Sequence, residues 1–151
     1  MPLTARDGRS ASASDNAYLT SYAYDAKGNR TTVTGPPVSG YPNGRTSTTT
    51  YTDGTTVAAA DSGFAPAGLP WKTTTAGGAV TTTVYFRNGD IASVTDPDGL
   101  VTSYTYDNLG RPASQKVVSD SYPNGMTTTS VFDKLNRLTQ SKINDCEQKC
   151  S

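Results

Sequence analysis

The sequence predicts an all-β fold, an array of antiparallel β-hairpins with no long helix. Three observations carry that expectation. Between Tyr85 and Arg111, short runs of Val, Ile, Thr, Ser and Tyr alternate with three turn clusters: Arg87-Asn88-Gly89-Asp90, Asp96-Pro97-Asp98-Gly99 and Asp107-Asn108-Leu109-Gly110. β-Branched and aromatic residues suit a pleated, half-buried surface, while Gly, Asn, Asp and Pro supply tight turns. Second, Tyr85 to Tyr106 and Gly89 to Gly110 share one displacement of about 21 residues, the mark of a repeated unit. Third, Gly, Pro, Thr, Ser and Asn interrupt nearly every stretch long enough for a helix.

Taken in order, residues 1–17 are Ser, Ala, Asp and Arg without periodicity and are expected to form a flexible lead. The hairpin array is expected over 18–143. Tyr18, Thr20, Tyr22 and Tyr24 share one parity, which places three tyrosines on one face of a first strand. Asp25-Ala26-Lys27-Gly28 turns the chain, and Arg30 to Thr34 returns until Pro36 and Pro37, which cannot donate to a central ladder, stop it. After the turn-rich segment 38–44, a strand is expected over Arg45–Thr52. Asp53-Gly54 then reads as a two-residue hairpin signal, with Thr55–Ala59 as the return strand. Asp61–Pro70, rich in Gly, Pro and Ala, reads as a linker or excursion. Trp71–Thr75 and Ala79–Phe86 make the next hairpin around Gly77-Gly78. Past the central stretch, Arg111–Val118 is a strand and Ser119–Gly125 a connection. Met126–Phe132 and Arg137–Ile143 close the array, and 144–151 is expected to be a disordered tail.

A longer echo runs through the chain at about 81 residues, the sign of an internal duplication. Thr20-Ser21-Tyr22-Ala23-Tyr24-Asp25 matches Thr102-Ser103-Tyr104-Thr105-Tyr106-Asp107, and Tyr41-Pro42-Asn43-Gly44 matches Tyr122-Pro123-Asn124-Gly125.

The repeat anchors follow from backbone geometry. Gly28, Gly89 and Gly110 stand four residues after Tyr24, Tyr85 and Tyr106, and Asn136 stands four after Phe132. Gly adopts positive φ without a Cβ clash, and Asn is the next most tolerant residue. Asp25, Asp107 and Asp133 open their turns, where a short carboxylate accepts from amides further along. Tyr51 carries a shortened form of the signature, and Tyr85 is followed by Phe86 in place of Asp. Either those units are degenerate or their turns differ.

Composition bounds the function. Hydrophobic residues are 34% of the chain, and Thr is about one residue in six against a typical apolar share of about 45–50% with Gly counted, so the core is expected to be thin. With 13 basic and 13 acidic side chains, no electrostatic footprint for nucleic acid exists, and no run is long enough for a membrane-spanning helix. The chain has no His, which removes Ser-His, Cys-His and His-metal chemistry. Asp90, Asp96, Asp98 and Asp107 could in principle pair as carboxylates or hold Ca2+, but each sits where a turn calls for Asp. Catalytic, cofactor and metal sites are therefore expected to be absent. Cys146 and Cys150 lack the further ligands of a zinc site. Trp71 is the candidate for stacking on a ligand such as a sugar, with a place among the core aromatics as the plainer alternative.

The segment Tyr106-Asp107-Asn108-Leu109-Gly110-Arg111, preceded by Asp96-Pro97-Asp98-Gly99, resembles the YD repeat of the Rhs (rearrangement hot spot) family, with looser copies around Tyr24 and Phe132-Asp133-Asn136-Arg137. Related repeats occur in insecticidal toxin complexes, bacterial polymorphic toxins and teneurins. The resemblance implies a spiral of β-hairpins forming a shell that encloses or presents an effector, in a protein that is secreted or at the cell surface. It implies the rest of a longer Rhs/YD-repeat protein, or a toxin effector, as partner. The alternative is a surface adhesion or carbohydrate-binding module with glycans as ligands. Unpaired end strands further predict self-association.

Overall fold

The computed structural model describes residues 3–120 and 122–145. Eleven strands run in chain order: β1 (Thr4–Arg6), β2 (Leu19–Tyr24), β3 (Arg30–Thr34), β4 (Thr46–Tyr51), β5 (Pro70–Thr74), β6 (Val80–Tyr85), β7 (Ile91–Thr95), β8 (Val101–Tyr106), β9 (Pro112–Ser119), β10 (Tyr122–Phe132) and β11 (Leu138–Asp145). Each pairs antiparallel with its sequence neighbours, giving one open sheet in the order β1 through β11. The all-β hairpin array expected from the sequence is the fold observed.

Alternation divides the sheet into two unlike faces. Cross-strand partners share a face, and residues two apart along a strand share it too. Following the pairs Tyr22↔Val33, Val33↔Ser47, Thr49↔Thr73, Thr73↔Thr81, Thr83↔Val94 and Val94↔Thr102 leads from one end of the sheet toward the other. That path places Tyr22, Tyr24, Tyr51, Trp71, Tyr85, Tyr104, Tyr106 and Phe132 on a single face. The opposite face carries Thr32, Thr48, Thr50, Lys72, Thr82, Ser93, Ser103 and Lys116. In β4 the two faces differ plainly: Ser47, Thr49 and Tyr51 are half-buried, and Thr46, Thr48 and Thr50 are exposed. Among the described residues no second sheet covers the aromatic face, and the core is thin. Among the described residues the buried apolar side chains are Ala65, Tyr85 and Ala92, with Thr52 the buried polar one.

The structure draws several elements differently from the sequence. Asp53-Gly54 does not open a two-residue hairpin, and Thr55–Ala59 is not a return strand. β4 pairs instead with β5 from Thr48↔Thr74 to Tyr51↔Pro70, so residues 52–69 form one long excursion. The local cause is Asp53, whose Oδ1 accepts from the amides of Thr55 and Thr56 and so curls the chain before it can reverse. The expected connection at 119–125 is largely strand. β10 begins at Tyr122, opposite Ser119, and a bulge at 123–125 restores the register at Met126↔Val117. In the stretch expected to be a flexible lead, β1 pairs Ala5 with Thr20, and Arg6 Nε donates to the Asp15 carbonyl at 3.2 Å. Its Asp and Ser side chains act as local acceptors, with Asp15 taking the amides of Ala11 and Ala17. At the other end, Asn144 and Asp145 continue β11, while Cys146, Cys150 and the remainder of the expected tail lie outside the described residues.

Candidate functional site

An up-and-down meander brings alternate connections to the same end of the sheet. The links β2–β3, β4–β5, β6–β7, β8–β9 and β10–β11 therefore form one rim, and every sequence-predicted anchor lies along it. Four of these links share a backbone pattern. The residue after the rim aromatic donates its N–H to the carbonyl four residues on and accepts from the amide three residues on. This holds for Asp25 with Asn29 and Gly28, Phe86 with Asp90 and Gly89, Asp107 with Arg111 and Gly110, and Asp133 with Arg137 and Asn136. The pattern needs a left-handed residue at the last of the three, and φ is 87° at Gly28, 94° at Gly89, 74° at Gly110 and 62° at Asn136.

Where Asp opens the turn, its carboxylate finishes the job. Asp107 Oδ1 accepts from the amides of Leu109 and Arg111, and Oδ2 takes Arg111 Nε at 2.6 Å. Asp133 repeats this with Leu135, Arg137 and Arg137 Nε at 2.8 Å. Asp25 uses Lys27 and Asn29, the Asn29 side chain standing in for arginine. These bonds favour the charged carboxylate, so all three pKa values fall below the ordinary range. The Arg111 side chain is the largest cause at Asp107, the Arg137 amide at Asp133 and the Asn29 side chain at Asp25. The turn at Phe86 has no such carboxylate. There Asn88 Oδ1 accepts the Asp90 amide, and Asp61, reaching in from the excursion, accepts the Arg87 amide at 3.0 Å.

A second set of bonds joins one hairpin to the next. Tyr51 Oη donates to the Arg30 carbonyl, Tyr85 Oη to Pro70 and Tyr106 Oη to Ile91. Each acceptor is the residue paired with the preceding rim tyrosine: Arg30 with Tyr24, Pro70 with Tyr51, Ile91 with Tyr85. The rim is thus a directional ladder in which each tyrosine reaches back one unit. Burial raises the pKa of Tyr85 and Tyr106, which keeps both phenols as donors. Phe86 adds an edge-on contact to Tyr106, centroids 6.2 Å apart. At Phe132 there is no hydroxyl to give. Instead, Arg111 from the preceding turn stacks over the Phe132 ring at 4.8 Å, and its Nη1 donates to the Asp133 carbonyl and to Asn136 Oδ1.

Trp71 is half-buried on the aromatic face and is not part of the ladder. Sequence reasoning missed Thr52, whose Oγ1 donates to the Pro66 carbonyl and accepts from the Leu69 amide, closing the neck of the excursion. Its one signal is position, directly after a rim tyrosine where the other units carry Asp or Phe. A shallow groove of about 540 Å3 opens between the Asp25 turn and Thr48–Asp53, lined largely by threonine. Its two carboxylates, Asp25 and Asp53, are both committed to their own turn amides. Among the described residues no three potential metal-ligating side chains come together. Among the described residues no helix is long and apolar enough to cross a membrane.

A continuous hairpin sheet tied along one rim by tyrosine and Asp-x-x-Gly turns defines a β-hairpin repeat protein. Residues 87–117 match the RHS repeat family. Among solved structures, the chain is similar to a chain of the Photorhabdus luminescens Tc holotoxin pore, with TM-score 0.59 and 15% identity, over 84% of this chain and 5% of that one. A crystal structure of TcdB2-TccC3 with Cdc42 aligns at TM-score 0.40 and 12% identity, over 87% of this chain and 8% of that one. This chain therefore spans a small fraction of the length of either. No curated protein matches it.

Proposed function

We propose that this chain is a wall segment of an Rhs/YD-repeat protein of the toxin type, whose shell encloses or presents an effector, secreted or at the cell surface. It acts by containment and not by catalysis. The observation that carries the reading is where the polar chemistry goes. The rim carboxylates of Asp25, Asp107 and Asp133 and the hydroxyls of Tyr51, Tyr85 and Tyr106 are committed to holding one hairpin against itself or against the next. Such a sheet resists opening along its length, because each unit is bonded to its neighbour through backbone ladder and rim together. The structural partner is the rest of the longer repeat protein.

The test is to remove one full unit, residues 101–121, from the longer protein and follow proteolysis of the effector it carries. Containment predicts that the effector becomes cleavable while its own fold is unchanged. An effector as resistant as before would end the reading. Saturable glycan binding by the chain, abolished by Trp71→Ala, would replace it with the adhesion alternative.

A further inference from the structure

We propose that Asn43 is a site of spontaneous covalent modification, in which the Gly44 backbone nitrogen attacks the Asn43 side chain and converts its amide to a carboxylate. The modification acts on the β3–β4 connection, residues 35–45, and frays the end of the joint between those two strands.

The step is an exchange of bonds within the chain followed by hydrolysis. The Gly44 nitrogen forms a bond to Asn43 Cγ and the Cγ–Nδ2 bond breaks. Nδ2 leaves as ammonia, carrying the proton that the Gly44 nitrogen gives up. Water then opens the cyclic imide at either of its C–N bonds. One opening leaves Asp at position 43; the other leaves isoaspartate, with the backbone rerouted through Cβ and Cγ. A glycine next in sequence favours the attack, because no Cβ obstructs the approach of its nitrogen.

Three Asn-Gly pairs occur, at 43–44, 88–89 and 124–125, and the structure separates them. The first two are matched in backbone. The Gly44 amide donates to the Tyr41 carbonyl at 2.9 Å and the Gly89 amide to the Phe86 carbonyl at 3.0 Å, and the two glycines have φ of 86° and 94°. They differ in the side chain. Asn88 Nδ2 donates to Asp90 Oδ2 at 2.7 Å and Asn88 Oδ1 accepts the Asp90 amide, so its Cγ cannot turn toward the Gly89 nitrogen without breaking both bonds. Asn43 is exposed, and no described residue bonds its side chain. Asn124 is exposed as well, but Gly125 is buried within β10, crowded by Lys116 and Val118. Gly44 lies instead in a connection whose residues 37–40 are all exposed.

The same connection has little room for the product. A Cβ added at Gly44 would collide with the Gly35 carbonyl oxygen, so the two backbone segments touch there. An extra backbone carbon at position 43 displaces Gly44 from that seat. The neighbouring bond, from the Gly35 amide to the Arg45 carbonyl at 2.9 Å, is the one expected to open.

The test incubates the full folded chain in neutral and in mildly alkaline buffer and follows all three sites by peptide mass mapping, with isoaspartate separated from Asp by chromatography. Asn43 should convert first, and faster in alkali, since the attacking nitrogen must shed its proton. It should outpace Asn88 about tenfold or more, the worth of the two bonds Asn88 must break. In urea, where the fold is gone, the three rates should draw together. Asp90→Ala should speed conversion at Asn88, with exchange at the Gly89 amide reporting that the turn still stands. As Asn43 converts, exchange at the Gly35 amide should quicken in the parent chain and stay slow in Asn43→Gln. The proposal is overturned if Asn88 or Asn124 keeps pace with Asn43 in the folded chain, or if Asn43 converts only in urea. It is also overturned if Asp90→Ala leaves Asn88 unchanged, or if Gly35 exchange ignores the conversion.

Discussion

Two junctions on the same rim solve one problem by different means. Around Tyr85 the hairpin is joined to its predecessor by the excursion 52–69. The Ala60 amide donates to the Tyr85 carbonyl, and Asp61 takes the Arg87 amide. Tyr85 is 6% exposed as a result. Around Phe132 no loop is available, and a single arginine from the preceding turn stacks on the ring and bonds the next turn. The first junction is a small buried core; the second is a surface clamp. The lesson is that the unit which lost its turn aspartate, at Phe86, is the one given outside support, whereas the unit which lost its tyrosine hydroxyl, at Phe132, is held by charge and stacking.

The largest break in this comparison is Tyr85→Ala. It removes a buried ring and the hydroxyl bond to Pro70, and should cost about 3–5 kcal/mol in urea unfolding. Because the array is sequentially coupled, much of the sheet should unfold with it. Phe132→Ala, on a half-buried ring, should cost clearly less. Equal losses would mean the two junctions are not different in kind.

Next comes the neck of the excursion. Thr52→Val keeps shape but strips the hydroxyl that serves both the Pro66 carbonyl and the Leu69 amide, and Thr52 is buried. Leaving those groups unpaired should cost about 1–3 kcal/mol and speed exchange at the Arg87 amide, which depends on the excursion staying docked. Exchange at the β10–β11 turn should be unchanged.

A smaller change should work in the stabilising direction. Phe132→Tyr restores the missing rung, since Pro112 is paired with Tyr106 as Ile91 is with Tyr85. The new hydroxyl should gain about 0.5–1.5 kcal/mol, read as a shift in urea midpoint at unchanged slope. A null result would show that Arg111 already occupies the position a hydroxyl needs.

These residues also show how far the sequence could be read. The hairpins at 19–34 and 101–119 were legible because strand alternation and turn chemistry agree there; β2 and β8 even share one burial pattern. The excursion was not. Asp53-Gly54 carries a strong local hairpin signal; the Asp53 carboxylate curls the chain through the Thr55 and Thr56 amides, and the neighbouring Thr52 closes the excursion on Pro66 and Leu69, 14 and 17 residues further on, which no local pattern reports. The bulged start of β10 was hidden for a related reason. Tyr122-Pro123-Asn124-Gly125 looks like its echo Tyr41-Pro42-Asn43-Gly44, and both glycines are left-handed, at φ 73° and 86°. Only the first copy forms a separate loop, through the Val38↔Tyr41 bridge, whereas the second extends a strand. The tyrosine ladder was invisible as well, since periodicity reports which face a side chain takes and not which carbonyl it reaches.

The smallest effect should be the response to acid, and it separates the two junctions by charge. Asp107 and Asp133 have depressed pKa values in the fold, so each binds its proton more weakly folded than unfolded. Their contribution is then fully present above the unfolded carboxylate value, about 4, and fades as pH falls through the lower folded values. Protonating Asp107 also frees the arginine that clamps Phe132, so exchange at the β10–β11 turn should quicken below about pH 4 before the Tyr85 carbonyl junction loosens. The Tyr85 junction should respond less, because its ring burial, its bond to Pro70 and the Ala60 bond to the Tyr85 carbonyl involve no carboxylate and only the Asp61 contact with the Arg87 amide does. Asp107→Asn tests the assignment: the turn should be weaker at pH 7, and its remaining stability should fall less steeply with acid than in the parent chain. If the slope is unchanged, the clamp's charge is not what joins the last hairpin to the sheet.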